Sequence, residues 1–133
     1  CVLTFEELQA LIDSRNIELT ELPEDVLDNA SYYGRIFARS GGVSEAVGQA
    51  IKEQNIDFTV DPLPCDGIEE CKTALLKASR GILKNNFIEG MACVGGCIGG
   101  AGCLSHGAKD KNEIDKYGKE ALEKSIGDAL SQL

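Results

Sequence analysis

Phe87-Ile-Glu-Gly-Met-Ala-Cys-Val-Gly-Gly-Cys-Ile-Gly-Gly-Ala-Gly-Cys103 is the stretch from which the rest of the chain can be read. Its first five residues, Phe87 to Met91, have the length and character of a brief apolar strand. That strand delivers the chain into a cysteine–glycine loop running from Cys93 to Gly107. Outward from this loop the periodicity is mostly helical. Upstream, a helix follows Asp66, with Ile68, Cys71, Ala74, Leu75, Ala78 and Ile82 on its inner face, where Cys71 serves as a small hydrophobe. Downstream, a last helix spans about Asn112 to Leu130, with Ile114, Tyr117, Ala121, Leu122, Ile126, Ala129 and Leu130 as its buried stripe.

Further from the loop, Asn55 to Val60 is a short strand candidate closed by Pro62 and Pro64. Before it, Arg35-Ile-Phe-Ala-Arg-Ser-Gly-Gly-Val43 is a tight glycine turn into a helix whose apolar stripe is Val43, Ala46, Val47, Ala50 and Ile51. At the start, Thr4 and Glu7 have capping-box spacing, and Phe5, Leu8, Leu11 and Ile12 repeat at helical period until Asn16. Ile17 to Pro23 alternates apolar and polar residues, which predicts an extended segment or short strand running into a loop from Pro23 to Tyr33. Helices alternating with short strands predict an α/β fold, a short and mostly parallel sheet flanked by helices, over residues 1–133 as one domain.

Composition narrows the function classes. The chain has 133 residues and a formal charge of −9, with 13 Lys and Arg against 22 Asp and Glu. Phosphate binding would need clustered basic residues, so nucleic acid is an improbable partner. No apolar run approaches the roughly 20 residues of a membrane helix, and Thr4, Glu6 and Glu7 interrupt any signal-like start. The expectation is a cytoplasmic chain without a membrane partner. Six cysteines, Cys1, Cys65, Cys71, Cys93, Cys97 and Cys103, include three within eleven residues. Clustered in this way, they point to metal or redox chemistry rather than to a disulfide lattice.

The loop supplies that chemistry. Thiolates are soft ligands for iron–sulfur clusters or zinc. Glycines such as Gly95 and Gly96 admit positive φ and let the backbone approach a bulky inorganic core, where its N–H groups can donate to cluster sulfides. Zinc would want about four ligands, and Cys103 with His106 could complete such a set. Spacing alone leaves cluster ligation, zinc and an ordinary or redox-active thiol loop open. Cys65 stands near a helix start, where the dipole could lower its pKa, or is an incidental loop thiol. His106 reads more simply as a solvated loop residue.

Glu89-Gly-Met-Ala-Cys-Val-Gly-Gly-Cys-Ile-Gly-Gly-Ala101 resembles the last signature of the [FeFe], or iron-only, hydrogenase family, Glu-x-Met-Ala-Cys-x-x-Gly-Cys-x-x-Gly-Gly. Val2-Leu-Thr-Phe-Glu-Glu-Leu8 resembles the family's "VLTTREL" helix start. Phe37-Ala-Arg-Ser-Gly-Gly-Val-Ser-Glu-Ala46 resembles its "FGATGGVMEA" turn. The resemblance implies one lobe of a hydrogenase catalytic domain. In that family four cysteines hold a [4Fe–4S] cubane, and one of them bridges to a diiron unit where protons are reduced to H2. Carried over, Cys93 is a cubane ligand and Cys97 the bridging one. Met91 packs beside the diiron unit, and Phe37 with Gly41 and Gly42 walls the same pocket. Ferredoxin or ferredoxin-like domains would deliver electrons.

The chain also departs from the family. The "TSCCP" and "MPC" signatures, which supply the other cubane cysteines and the proton-relaying one, are absent. The resemblance thus implies a C-terminal piece, inactive and without an intact cluster on its own. Its natural partner is the remainder of the catalytic domain, and the face left bare invites a homodimer. Cys103-Leu104 replaces the usual Gln-Pro, Ala101 and Ala38 replace glycines, and Arg39 places a charge where the family has a small residue. These changes suggest a divergent subgroup with sensory or altered activity. Two alternatives from other classes remain: a hydrogenase-like protein of cytosolic iron–sulfur assembly, which keeps a similar Met-Ala-Cys loop, and a free-standing thiol or zinc-binding domain.

Overall fold

A computed structural model describes residues 1–26 and 30–131. At its centre, strands β1 (Pro62–Asp66) and β2 (Phe87–Met91) pair in parallel, with Pro62 opposite Phe87 and Asp66 opposite Met91. Helix α4 (Ile68–Ser79) connects them and packs on both. The fold is α/β, as the sequence predicts, and β2 occupies the residues expected of it. The strand expected at Asn55–Val60 is not formed, and β1 begins instead at the proline that was to close it. Asn55 takes a φ of +53° to end the preceding helix. Pro62 and Pro64 are tolerated because residues of a strand alternate in the edge they present. Gly67, in phase with Leu63 and Cys65, donates to the Met91 carbonyl at 2.9 Å. The prolines therefore face the open edge, where no N–H is needed.

On β2 lies helix α3 (Gly42–Glu53), entered through Gly41 at a φ of +85°. Gly42 is obligatory there, since a Cβ would sit 1.9 Å from the Ile36 carbonyl oxygen. Before this turn the chain forms a short helix, α2 (Tyr32–Arg35), capped by Ser31, and a 3-10 turn over Ile36–Ala38. The loop expected from Pro23 to Tyr33 thus ends in a helix, and its residues 27–29 lie outside those described. The first helix, α1 (Phe5–Ser14), has the expected capping box between Thr4 and Glu7. The extended segment expected at Ile17–Pro23 contains a 3-10 turn at Leu19–Glu21 instead. The Glu18 carboxylate accepts from the Thr20 hydroxyl at 2.7 Å, and this local bond competes with an extended course.

The single C-terminal helix is in fact two, α5 (Asp110–Lys119) and α6 (Ile126–Leu130). Ser125 explains the break. Its hydroxyl accepts from the Asp128 N–H at 2.9 Å, so it starts a helix rather than lying inside one. The Glu53 carboxylate, at the end of α3, also accepts from the Ile126 and Gly127 N–H groups, fixing α6 against α3. Ala121 of the expected stripe is buried, while Leu122 and Leu130 are exposed.

The core is small. Ile36, Ala46, Cys65, Ala74 and Ala121 are its buried apolar residues, accompanied by buried Ser31, Arg39, Ser44 and Glu89. The inner face expected for α4 is correspondingly bare: Ala74 is buried, Cys71 half-buried, and Ile68, Leu75 and Ile82 are exposed. A two-stranded sheet is too narrow to cover a whole helix face. No helix among the described residues is long and apolar enough to cross a membrane.

Candidate metal centre

The cysteine loop leaves β2 at Met91, makes a 3-10 turn over Cys97–Gly99, and is tied at several points along its length. Near its start, the Gly95 N–H donates to the Asp66 carboxylate at 2.6 Å. In its middle, the Ser40 N–H donates to the Gly95 carbonyl at 3.1 Å, and Arg39 and Gly96 form an isolated antiparallel bridge. Towards its end, the Glu6 N–H of α1 donates to the Gly102 carbonyl at 3.2 Å. Gly96 has a φ of +89°, and a Cβ there would stand 2.6 Å from the Ser40 nitrogen. Only glycine permits that backbone contact.

Beneath this loop lies a polar frame. The buried Glu89 carboxylate accepts from the Gly41 N–H at 3.0 Å and the Ser44 N–H at 2.9 Å, capping the N-terminus of α3 from the neighbouring strand. Arg39, the charge that departs from the signature, is 3% exposed and paired with both Glu45 and Asp115. Burial works against its charge, but the bonds and charges of Asp115 and Glu45 outweigh that and hold its pKa above the ordinary value. The guanidinium is thereby a permanent tie between the turn, α3 and α5.

The thiols divide into two classes. Cys93 and Cys97 are exposed on the tethered loop, and Cys103 is half-buried with its sulfur 3.3 Å from the Cys97 carbonyl oxygen. A Cβ on Gly100 would come 3.3 Å from the Cys93 sulfur, so the glycine keeps that thiol's surroundings open. Cys65, by contrast, is neither in a loop nor activated. It is a buried residue of β1, and burial, followed by the nearby Cys71 and Glu70, pushes its thiol pKa up. Cys71 sits with its sulfur 3.6 Å from the Met91 carbonyl oxygen, consistent with a packing role.

Of the other expected site residues, Met91 ends β2 half-buried at the mouth of the loop. Gly41 and Gly42 form the turn beside Gly95 and Gly96. Phe37 lines an apolar hollow of about 210 Å³ with Tyr33, Ala46 and Ile126, a hollow that no cysteine lines. His106 borders a cleft of about 790 Å³ with Arg39, Ser44 and Asp66, a cleft that neither Cys93 nor Cys97 lines. Among the described residues no three Cys, His, Asp or Glu side chains gather as a metal-ion site, so the zinc set with Cys103 and His106 is not assembled.

Two segments elsewhere in the chain therefore converge on the cysteine loop: Val2–Leu8 through Glu6, and Phe37–Ala46 through Arg39 and Ser40, while Gly41 and Ser44 fasten the same turn to β2. Residues 1–101 match the family model for the iron-only hydrogenase large subunit, C-terminal domain. The chain belongs to that family. A curated relative, the "NADP-reducing hydrogenase subunit HndD" of Solidesulfovibrio fructosivorans, is 31% identical over 137 residues, 79% of this chain. The chain spans 23% of that relative's length. In this iron-only hydrogenase domain, the residues that sequence reasoning passed over are Glu89 and Asp66. Glu89 was visible as an acid in the midst of an apolar strand, a position that requires hydrogen-bond partners. Asp66 carried no comparable signal, because an aspartate before a glycine is common in any turn.

The donor set suits an iron–sulfur centre in kind. Two exposed thiols on a glycine-lined backbone fit a soft, bulky, anionic group, and in number they are half of the four ligands that a [4Fe–4S] cubane needs.

Proposed function

We propose that this chain is the C-terminal part of a hydrogenase catalytic domain in which Cys93 and Cys97 provide two of the four thiolates of a [4Fe–4S] cubane. Cys97 would also bridge to a diiron unit. When bound, that centre supplies the reversible reduction of protons to H2. The observation that carries the reading is a convergence: the helix start at Val2–Leu8 and the turn at Phe37–Ala46 are each bonded to the backbone of one loop, on which Cys93 and Cys97 are exposed.

The chain's own residues position and shield. Glu89 fixes the Gly41–Gly42 turn, which in turn holds Gly95 through Ser40 and Gly96 through Arg39. Asp66 restrains the loop at Gly95. Such tethers set the two sulfurs before any iron arrives, which lowers the ordering cost of ligation. Met91 stands where its thioether can pack beside the centre. Phe37 is assigned to the wall of that pocket by the resemblance alone.

Four thiolates are required and Cys93 and Cys97 supply two, so the other two come from the remainder of the catalytic domain. That portion is the principal partner. Electrons would be delivered by a ferredoxin or by ferredoxin-like domains, a role compatible with the NADP-reducing relative. Alone, the chain is inactive. After anaerobic treatment with iron and sulfide it should evolve no H2 from reduced viologen, whereas the complete catalytic domain should. H2 evolution by the isolated chain contradicts the proposal.

A further inference from the structure

Cys103 is the one thiol of the loop for which the proposed centre has no use, since the family carries Gln-Pro at that point. Its sulfur lies 3.3 Å from the carbonyl oxygen of Cys97. Covalent geometry then holds the two α-carbons within about 9 Å of one another at most. A disulfide needs them roughly 4.4–6.8 Å apart. The intervening residues are Ile98, Gly99, Gly100, Ala101 and Gly102, a run with little side-chain bulk to obstruct closure. Access also favours the pair: Cys97 is exposed to an oxidant, and Cys103 is half-buried beside it.

We propose that Cys97 and Cys103 form a thiol–disulfide pair that withdraws Cys97 from metal ligation when the loop is oxidised. This rests on the reading of Cys97 as a cluster ligand. The oxidant is a low-molecular-weight disulfide such as glutathione disulfide. The Cys97 thiolate attacks one of its sulfurs, the S–S bond breaks, and one glutathione thiolate leaves and takes up a proton. Cys103 then attacks the Cys97 sulfur of the mixed disulfide, and the second glutathione leaves in the same way. Two protein thiols are oxidised and one glutathione disulfide is reduced to two thiols. A loop so closed cannot offer the Cys97 thiolate to iron, and reduction reopens it.

The test titrates the reduced chain with glutathione disulfide and reads its mass before and after alkylation. The expected product lacks two hydrogens and shields Cys97 and Cys103 from alkylation; it persists in Cys93→Ser and is abolished in Cys103→Ser. A Cys93–Cys97 bond, or mixed disulfides that never resolve, overturns the inference and leaves the ligand reading intact. Cobalt(II), as a probe of thiolate ligation, reports the consequence. The reduced chain should show thiolate-to-cobalt absorption that Cys97→Ser diminishes, that oxidation removes and that dithiothreitol restores. Absorption that survives oxidation overturns the switch. Absorption indifferent to Cys97→Ser overturns the ligand reading, and the switching role with it, even where the disulfide forms.

Discussion

Glu89 shows how much a single side chain can organise. It is 4% exposed, it sits on β2, and its two oxygens accept from the N-cap residue Gly41 and from Ser44 in the first turn of α3. Replacing it by glutamine leaves one acceptor and removes the charge that answers the helix dipole. Glu89→Gln should cost about 2 kcal/mol of folding stability, read from the shift of the urea midpoint. An unchanged midpoint would show that the cap is dispensable. At this scale the sequence was informative wherever a residue's chemistry constrains its position. The placement of Cys93 and Cys97 on a loop, the Thr4–Glu7 cap and the Gly41–Gly42 turn could all be read from the sequence. Cys65 could not, because the same Pro-Cys-Asp-Gly suits a loop before a helix or the end of a strand. Which of the two forms depends on pairing with β2, a contact more than twenty residues away.

Among the elements, α6 depends on a long-range contact. Five residues do not sustain a helix in water, and α6 is held by Ser125 at its start and by Glu53 from α3. The side chain of Gln49, and then the N–H groups of Ile126 and Gly127, lower the pKa of Glu53. A depressed carboxylate stabilises the fold above its unfolded-state pKa of about 4.3, and that support is lost as pH falls through the lower folded-state value. The amide resonances of Ile126 and Gly127 should therefore move together on acidification below about pH 4. Glu53→Gln should abolish the titration, and amides that ignore acidification would refute the clamp. The same contact explains why the final helix reads as continuous in sequence. Its apolar period carries on through Ala121 and Leu122, whereas the interruption is set by Ser125 together with a carboxylate on another helix. β1 was misplaced for a similar reason: prolines end strands in general, but not on an open edge.

Seen whole, the molecule is short of partners for its apolar surface. Phe5, Leu8 and Leu11 on α1, and Ile68, Leu75 and Leu76 on α4, are all 42% or more exposed. Surfaces of this kind are normally interfaces. Under the proposed function, their occupant is the rest of the catalytic domain. In isolation the chain is expected to self-associate through these faces. Light scattering across micromolar concentrations should report a mass above that of the monomer, and a constant monomer mass would argue against it. The α/β class was legible from alternating periodicity, but the narrowness of the sheet was not. Helix stripes announce that they must be buried without saying whether the covering residues lie in the same segment of chain.

The proposed ligand role of Cys93 and Cys97 is tested most directly in a complete catalytic domain that contains this chain, by iron and sulfide analysis with Mössbauer spectroscopy of the unsubstituted protein and its Cys93→Ser and Cys97→Ser variants. Loss of the cubane signal in either variant, in a protein that remains folded by circular dichroism, is the predicted result. A full complement of iron and sulfide in both variants, with the cubane spectrum unchanged, would contradict it and leave this loop a structural turn.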